Sequence, residues 1–88
     1  MDDVDLKFQL KTELSDSQTE QFWMEFIEQA IEAQGLVVGG GGVHHIEVTL
    51  GPGANQQITP EHLAAIREWM SNRFEIIDFE IIDFEVGA

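Results

Sequence analysis

The stretch GLVVGGGGVHHIEVTL, residues 35–50, decides the fold of this chain. Four consecutive glycines, residues 39–42, separate two apolar and β-branched runs at 36–38 and 43–50. Glycine adopts positive φ without steric cost, so a glycine cluster between two strand-like runs is typical of a chain reversal. We therefore predict a β-hairpin. Because a helix-like pattern flanks it on each side, we expect the hairpin to form the middle of a sheet that carries both helices.

The size and composition of the chain indicate one soluble domain over residues 1–88. Apolar residues make up 43% of the chain, which argues against disorder. Cysteine is absent, so disulfides and thiol chemistry are excluded and a reducing cytoplasm is the simplest setting. The acidic N-terminus lacks the layout of a signal peptide, and no apolar run reaches the roughly 20 residues that span a bilayer.

The net charge is −13, from 17 acidic and four basic residues. Such a surface repels phosphate backbones and anionic lipid head groups. We therefore expect neither free nucleic acid nor a membrane as a direct partner. Contact with an RNA-rich particle through its proteins stays open.

Upstream of the hairpin the pattern predicts a strand and then a helix. Apolar residues alternate with polar ones from Leu6 to Leu14, which is typical of a strand with one wet face. A capping box, either Ser15 with Gln18 or Ser17 with Glu20, then begins a helix that Gly35 ends. The apolar stripe of this helix comprises Phe22, Trp23, Phe26, Ile27, Ala30 and Ile31.

Downstream of the hairpin, a turn-rich loop at 51–57 precedes a second helix. Thr59 is its expected N-cap and Pro60 its first residue, and it ends near Asn72. Arg67 and Arg73 are placed to favour the negative end of its dipole. Its buried stripe comprises Leu63, Ile66, Trp69 and Met70.

The tail, residues 74–85, repeats FEIID and predicts a strand. A five-residue repeat places equivalent side chains on opposite faces of a strand, so one register cannot bury both apolar sets. We expect a bulge or break at 80–82, or one set given to a partner. The two sets are Ile77, Phe79 and Ile81 on one face, and Ile82, Phe84 and Val86 on the other.

The element order β-α-β-β-α-β predicts an α+β ferredoxin-like two-layer sandwich. In that architecture an antiparallel four-stranded sheet carries both helices on one face, with strand order 4-1-3-2.

Several short segments, in order along nearly the whole chain, carry a family resemblance. They are Phe26-Ile27-Glu28, Ile31-Glu32, Gly35-Leu36 leading into the four glycines, Ile58-Thr59-Pro60-Glu61-His62, Ile66-Arg67-Glu68-Trp69-Met70, and Asp83. With these segments the chain resembles the YggL family of 50S ribosome-binding proteins. The resemblance implies association with the large (50S) ribosomal subunit, without catalysis and without a cofactor. The family's basic N-terminal extension differs from the start of this chain, Met1-Asp2-Asp3.

The wet face of the predicted sheet is the candidate partner-binding surface. In the order 4-1-3-2, Lys7 and Lys11 lie between Glu47 on one side and Asp78 or Glu80 on the other. One interpretation is a charge-matched solvated face, and the other is a polar face that meets a protein partner. The candidate partner-binding residues are Lys7, Gln9, Lys11, His45, Glu47 and Thr49.

The residues needed for a metal site, a phosphate-binding loop or a catalytic pair are present only in part. His45 and Glu47 share the wet face and supply two of the three ligands of a metal site, with no third ligand identifiable. The glycine run lacks the lysine and the following helix of a phosphate-binding loop. Without cysteine or tyrosine, and with serines only near helix ends, no nucleophile–base pair assembles. We therefore expect no enzyme and no metal.

An alternative function is a homo-oligomeric regulatory or interaction domain that uses the surplus apolar set of the last strand as a dimer edge. For the chain itself we expect a monomer or a weak homodimer. Trp23 and Trp69 are expected in the core, and the helix glutamates are expected to form a solvated face or an acidic patch for a basic partner.

Overall fold

A computed structural model describes residues 3–42 and 44–83 of the chain. They form four strands and two helices in the predicted order. The strands are β1 (Val4–Leu10), β2 (Val37–Gly41), β3 (His45–Gly51) and β4 (Ile76–Asp83). The helices are α1 (Asp16–Glu25), which continues as a π-helix (Phe26–Ile31) and a 3₁₀ turn (Glu32–Gln34), and α2 (Pro60–Ser71).

The strands form one antiparallel sheet in the order β2-β3-β1-β4, which is 4-1-3-2 read from the opposite edge. The hairpin of β2 and β3 therefore does not occupy the middle of the sheet. The expectation that the hairpin forms the middle of the sheet is right for β3 and wrong for β2, which is an edge strand. The strand β1, whose alternate side chains are all buried, pairs on both sides, and its pairing with β3 places the glycine-rich β2 outermost.

Both helices cover the same face of the sheet. The ring centroid of Phe8 on β1 lies 5.7 Å from that of Phe22 and 5.5 Å from that of Phe26. The ring of Trp69 on α2 lies 5.7 Å from both phenylalanine rings. Trp23 and Trp69 are partly buried against this core, as expected. The burial of these aromatic rings is a large part of what holds the two layers together.

Capping boxes begin both helices. The Ser15 hydroxyl accepts a hydrogen bond from the Gln18 backbone N–H at 3.1 Å, and the Gln18 side chain accepts one from the Ser15 N–H at 2.8 Å. This selects the first of the two predicted boxes. At α2, Nδ1 of His62 accepts from the Thr59 N–H at 3.0 Å, taking the place usually held by Glu or Gln. Gly35, with φ of +73°, ends the first helical segment as predicted.

The bulge in the last strand lies elsewhere than predicted. Gln9 pairs with Asp78 and Leu10 pairs with Ile76, so Ile77 is the extra residue of β4. Ile77 is therefore 56% exposed and does not share the core face with Phe79 and Ile81. The bulge lets Ile76 face the core in its place, and the proposed break at 80–82 is wrong. Phe84 and Val86 lie outside the described residues.

Candidate partner-binding surface

The face of the sheet that the helices leave uncovered, here called the open face, has a lysine near its centre. Lys7 on β1 pairs with Glu47 on β3 and with Glu80 on β4, as the sequence predicts. Its ammonium lies 3.6 Å from the Glu47 carboxylate, and the two side chains are 47% and 70% exposed. An exposed pair of this kind contributes about 0–1 kcal/mol to stability, so these charges remain available to a partner.

The neighbouring positions of the open face are polar. Gln9 lies between His45 on β3 and Asp78 on β4. The Thr49 hydroxyl donates a hydrogen bond to Oδ1 of Asp5 at 2.9 Å. The structure thus brings five of the six predicted residues onto one face: Lys7, Gln9, His45, Glu47 and Thr49.

Asp5 belongs to the same face and was missed from the sequence, because the alternation was read only from Leu6. The sequence nevertheless contains a signal that places Asp5 on this face. Val4 and Leu6 flank Asp5 and are both fully buried, so the period-two pattern extends back through it.

Lys11 is separated from the other five residues. The strand β1 ends at Leu10, so the expected strand position of Lys11 between β3 and β4 is wrong. The backbone N–H of Lys11 donates to the Glu75 carbonyl at 2.9 Å, and its ammonium lies 5.6 Å from the centroid of the Phe74 ring. These contacts hold Lys11 at the end of the sheet, beside the approach to β4.

A second charged cluster lies at the junction of α1, α2 and β4. The Arg73 guanidinium donates to both carboxylate oxygens of Glu75, at 3.1 and 2.8 Å, and to Glu25 at 2.8 Å. It also lies 4.8 Å from the centroid of the Trp69 ring. Arg73 therefore ties three elements together. The helix α2 ends at Ser71 with no basic residue in its last turn, so Arg73, predicted to favour the negative end of the dipole, lies beyond that turn.

The cluster shifts two pKa values. A hydrogen bond from Gln21, followed by one from Arg73, lowers the pKa of Glu25 below its ordinary value. Burial alone would lower the pKa of Arg73, but the hydrogen bonds to Glu75 and Glu25 outweigh it and raise that pKa. The cluster is thus a set of ion pairs that holds the junction of α1, α2 and β4 together.

Among residues 3–42 and 44–83, no three His, Asp or Glu side chains gather in a way that could hold a metal ion. His45 faces Gln9 across the strand pair, which offers no carboxylate there. In the same described ranges, no helix has the length and apolar character that crossing a bilayer requires.

A model of the family described as YggL 50S ribosome-binding protein matches residues 4–85, from the first residue of β1 past the end of β4. The chain belongs to this family. The resemblance drawn from the sequence is thereby confirmed over nearly the whole length. No match to the chain was found among the curated proteins.

The segments that carried the YggL resemblance mostly build the fold. Phe26, Ile31, Ile66 and Met70 are buried, and Thr59 caps α2. None of the six predicted partner-binding residues belongs to these segments. Membership of the YggL family therefore indicates the kind of partner, while the contact surface has to be argued from geometry and charge.

Proposed function

We propose that this chain is a non-catalytic binding protein of the large (50S) ribosomal subunit, built on a ferredoxin-like sandwich. The observation that carries the proposal is the match of the YggL 50S ribosome-binding family to residues 4–85. Binding to ribosomes would place the protein in the cytoplasm.

The charge of the chain favours ribosomal protein over ribosomal RNA as the contact. A net charge of −13 opposes approach to a phosphate backbone and favours a basic protein surface. The open face supports this, because it is polar and solvated, with Lys7, His45 and Glu47 exposed on it. We assign the contact to Lys7, Gln9, His45, Glu47 and Thr49, with Lys11 at its margin.

Two serine hydroxyl groups have structural partners, as expected of a binding protein without catalysis. Ser15 caps α1, and the Ser71 hydroxyl donates to the Arg67 carbonyl at 2.8 Å. Neither hydroxyl is paired with a base that could activate it as a nucleophile.

Co-sedimentation with purified 50S subunits in sucrose gradients tests the proposal. We expect the protein in the 50S fractions, and weaker co-sedimentation when His45 and Glu47 are both replaced by alanine. Glu68→Ala, an exposed glutamate on α2, is the matched control and should leave binding unchanged. Protein found only at the top of the gradient would refute ribosome binding. Unaltered binding of the double variant would refute the assigned surface.

Self-association is a second candidate, because two large apolar side chains are exposed at the start of β4. Phe74 is 66% exposed and Ile77 is 56% exposed, and β4 is an edge strand. Light scattering after size exclusion measures the mass directly. A dimer that Ile77→Ser converts to a monomer would support this function, and a monomer at high concentration would remove it.

A further inference from the structure

The edge strand β2 lacks the usual protection of a sheet edge. Within the described part of the chain its only strand neighbour is β3, so its outer backbone N–H and C=O groups face away from the sheet. Protein edges are normally blunted by charged side chains, prolines or a covering element. The sequence of β2, VVGGG, has no charge and no proline, and Val37 is 55% exposed.

Of the four glycines, Gly40 and Gly42 are required by the backbone geometry, whereas Gly39 and Gly41 are not. Gly40 and Gly42 have φ of +113° and +146°, and a Cβ on Gly40 would lie 2.5 Å from the Glu47 carbonyl oxygen. Gly39 and Gly41 have no such conformation, and a Cβ on either would meet nothing within 4 Å. Glycine at these two positions leaves the strand accessible at a cost in stability.

An apolar groove runs beside β2 on the helix side of the sheet. It lies between the glycine strand and the first helix, and is lined by Trp23, Ile27, Val38 and Val48 together with the glycines. Because the glycines have no side chains, this end of the helix-covered face is left partly uncovered. A strand added to β2 would place every second side chain over this groove.

The remaining side chains of an added strand would lie on the open-face side, where carboxylates line a depression. Asp5, Glu47 and Thr49 line the depression on the open-face side of Gly39 and Gly40. On the helix side, Glu32 lines a second groove together with Ile27, Ile31 and Val37, at the start of β2. The surroundings of β2 are thus mostly apolar on the helix side and acidic on the open-face side, where the Lys7 ammonium lies 3.6 Å from the Glu47 carboxylate.

We propose that β2 binds an extended protein segment in which apolar residues alternate with lysine or arginine, added as a fifth strand. The β2 backbone would pair with the segment, the groove would take its apolar side chains, and the carboxylates on the open-face side, Glu47 on β3 and Asp5 beyond it on β1, would attract its basic ones. A second copy of this chain does not fit as the occupant of β2, because its stretch of apolar residues around Lys7 is held in the central strand β1. The β2 edge adjoins the open-face contact proposed above and shares Glu47 and Thr49 with it.

Titration of ¹⁵N-labelled protein with capped synthetic peptides tests the proposal by NMR. The peptide VKVKVKV should shift the amides of residues 37–42 and the Trp23 indole, while VVKKKVV, with the same composition, should bind much more weakly. Absence of shifts with either peptide at millimolar concentration overturns the proposal. Equal binding of both peptides also overturns it, because only general charge attraction would remain. An RNA oligonucleotide that shifts the same amides would overturn the assignment to a protein partner.

Substitutions of opposite charge at Gly39 distinguish an effect on peptide binding from an effect on folding. Gly39→Lys should weaken VKVKVKV binding about fivefold by repelling its lysines, and Gly39→Glu should preserve or strengthen it. A Cβ added at Gly39 would meet nothing within 4 Å, so either side chain starts in open space. Ala65→Lys, on the α2 helix that packs against the opposite edge strand β4, adds the same charge and should have little effect. Equal affinity of the two Gly39 variants overturns the proposal. No ribosome is present in these titrations, so their failure would leave the proposed 50S binding standing.

Discussion

Arg73 contacts side chains on α1, on α2 and in the segment before β4. Its guanidinium bonds Glu25 on α1 and Glu75 before β4, and lies over the rings of Phe22 and Trp69. Only 19% of the Arg73 side chain and 8% of the Glu75 side chain are exposed. A carboxylate so well shielded needs its cation, because an unpaired charge in that position is costly.

Replacing Arg73 by methionine should therefore destabilise the fold by about 2 kcal/mol, since Glu75 would be left without a partner. Urea unfolding followed by tryptophan fluorescence measures the change. Arg67→Met, an exposed arginine on α2, serves as the control and should change stability by less than about 0.5 kcal/mol. Equal effects of the two variants would show that the cluster contributes nothing beyond a surface charge.

The lowered pKa of Glu25 predicts a pH dependence. A carboxylate whose pKa is depressed in the folded state contributes stability that is present above its unfolded pKa and is lost as the pH falls through the folded one. Glu25→Gln should therefore be less stable than the wild type at pH 7, and the difference should close as the pH falls below about 4. Unfolding at both pH values measures it, with Glu28→Gln as the control for loss of one negative charge. A difference that is unchanged at pH 3 would contradict the prediction.

At the scale of the element, β2 combines two kinds of glycine. Gly40 occupies backbone geometry that an L-residue rarely adopts, with the β3 backbone directly against its missing Cβ. Gly39, one residue earlier, lies in extended geometry with free space beside it. The same strand therefore contains a glycine the fold requires and one the fold does not.

Alanine substitution distinguishes the two glycines. Gly40→Ala should destabilise the protein by about 2 kcal/mol through backbone strain and the clash with Glu47. Gly39→Ala should instead be neutral or stabilise it by up to about 1 kcal/mol, because alanine restricts the unfolded chain. Thermal unfolding of the two single variants measures the contrast. If Gly39→Ala destabilised as much as Gly40→Ala, Gly39 would be structural after all, and the argument for an exposed edge would weaken.

At the scale of the whole molecule, net charge opposes compactness. The acids outnumber the bases by 13, while the principal extents of the chain are 39 × 25 × 21 Å. At 10 mM salt the Debye length is about 30 Å, so charges repel across much of the molecule, and at 1 M salt it is about 3 Å.

Raising sodium chloride from 10 mM to 300 mM should therefore raise Tm, because screening relieves this repulsion. Ala65→Lys, which reduces the negative charge by one, should show a smaller gain from salt than the wild type. Differential scanning calorimetry of both proteins gives the comparison. A Tm that falls with added salt would show that attractive pairs such as Lys7 with Glu47 outweigh the repulsion.

The features that the sequence predicted correctly are those that depend on neighbours along the chain. Ser15 and Thr59 as helix caps, Gly35 as a helix end, and the buried alternation of Leu6, Phe8 and Leu10 each follow from a few adjacent residues. Such local rules work because a cap, a turn or an alternating strand satisfies its own backbone groups or presents its own apolar face. The element order followed from them, and with it the class of the fold.

Long-range contacts decided the rest. The position of the bulge in β4 depends on the register against β1. With Ile77 as the extra residue, Ile76, Phe79 and Ile81 all face the core. Arg73 bonds Glu25 although 48 positions separate them in the sequence. These outcomes are set by packing between segments distant in sequence, and that packing exists only once the sheet and its helices have come together.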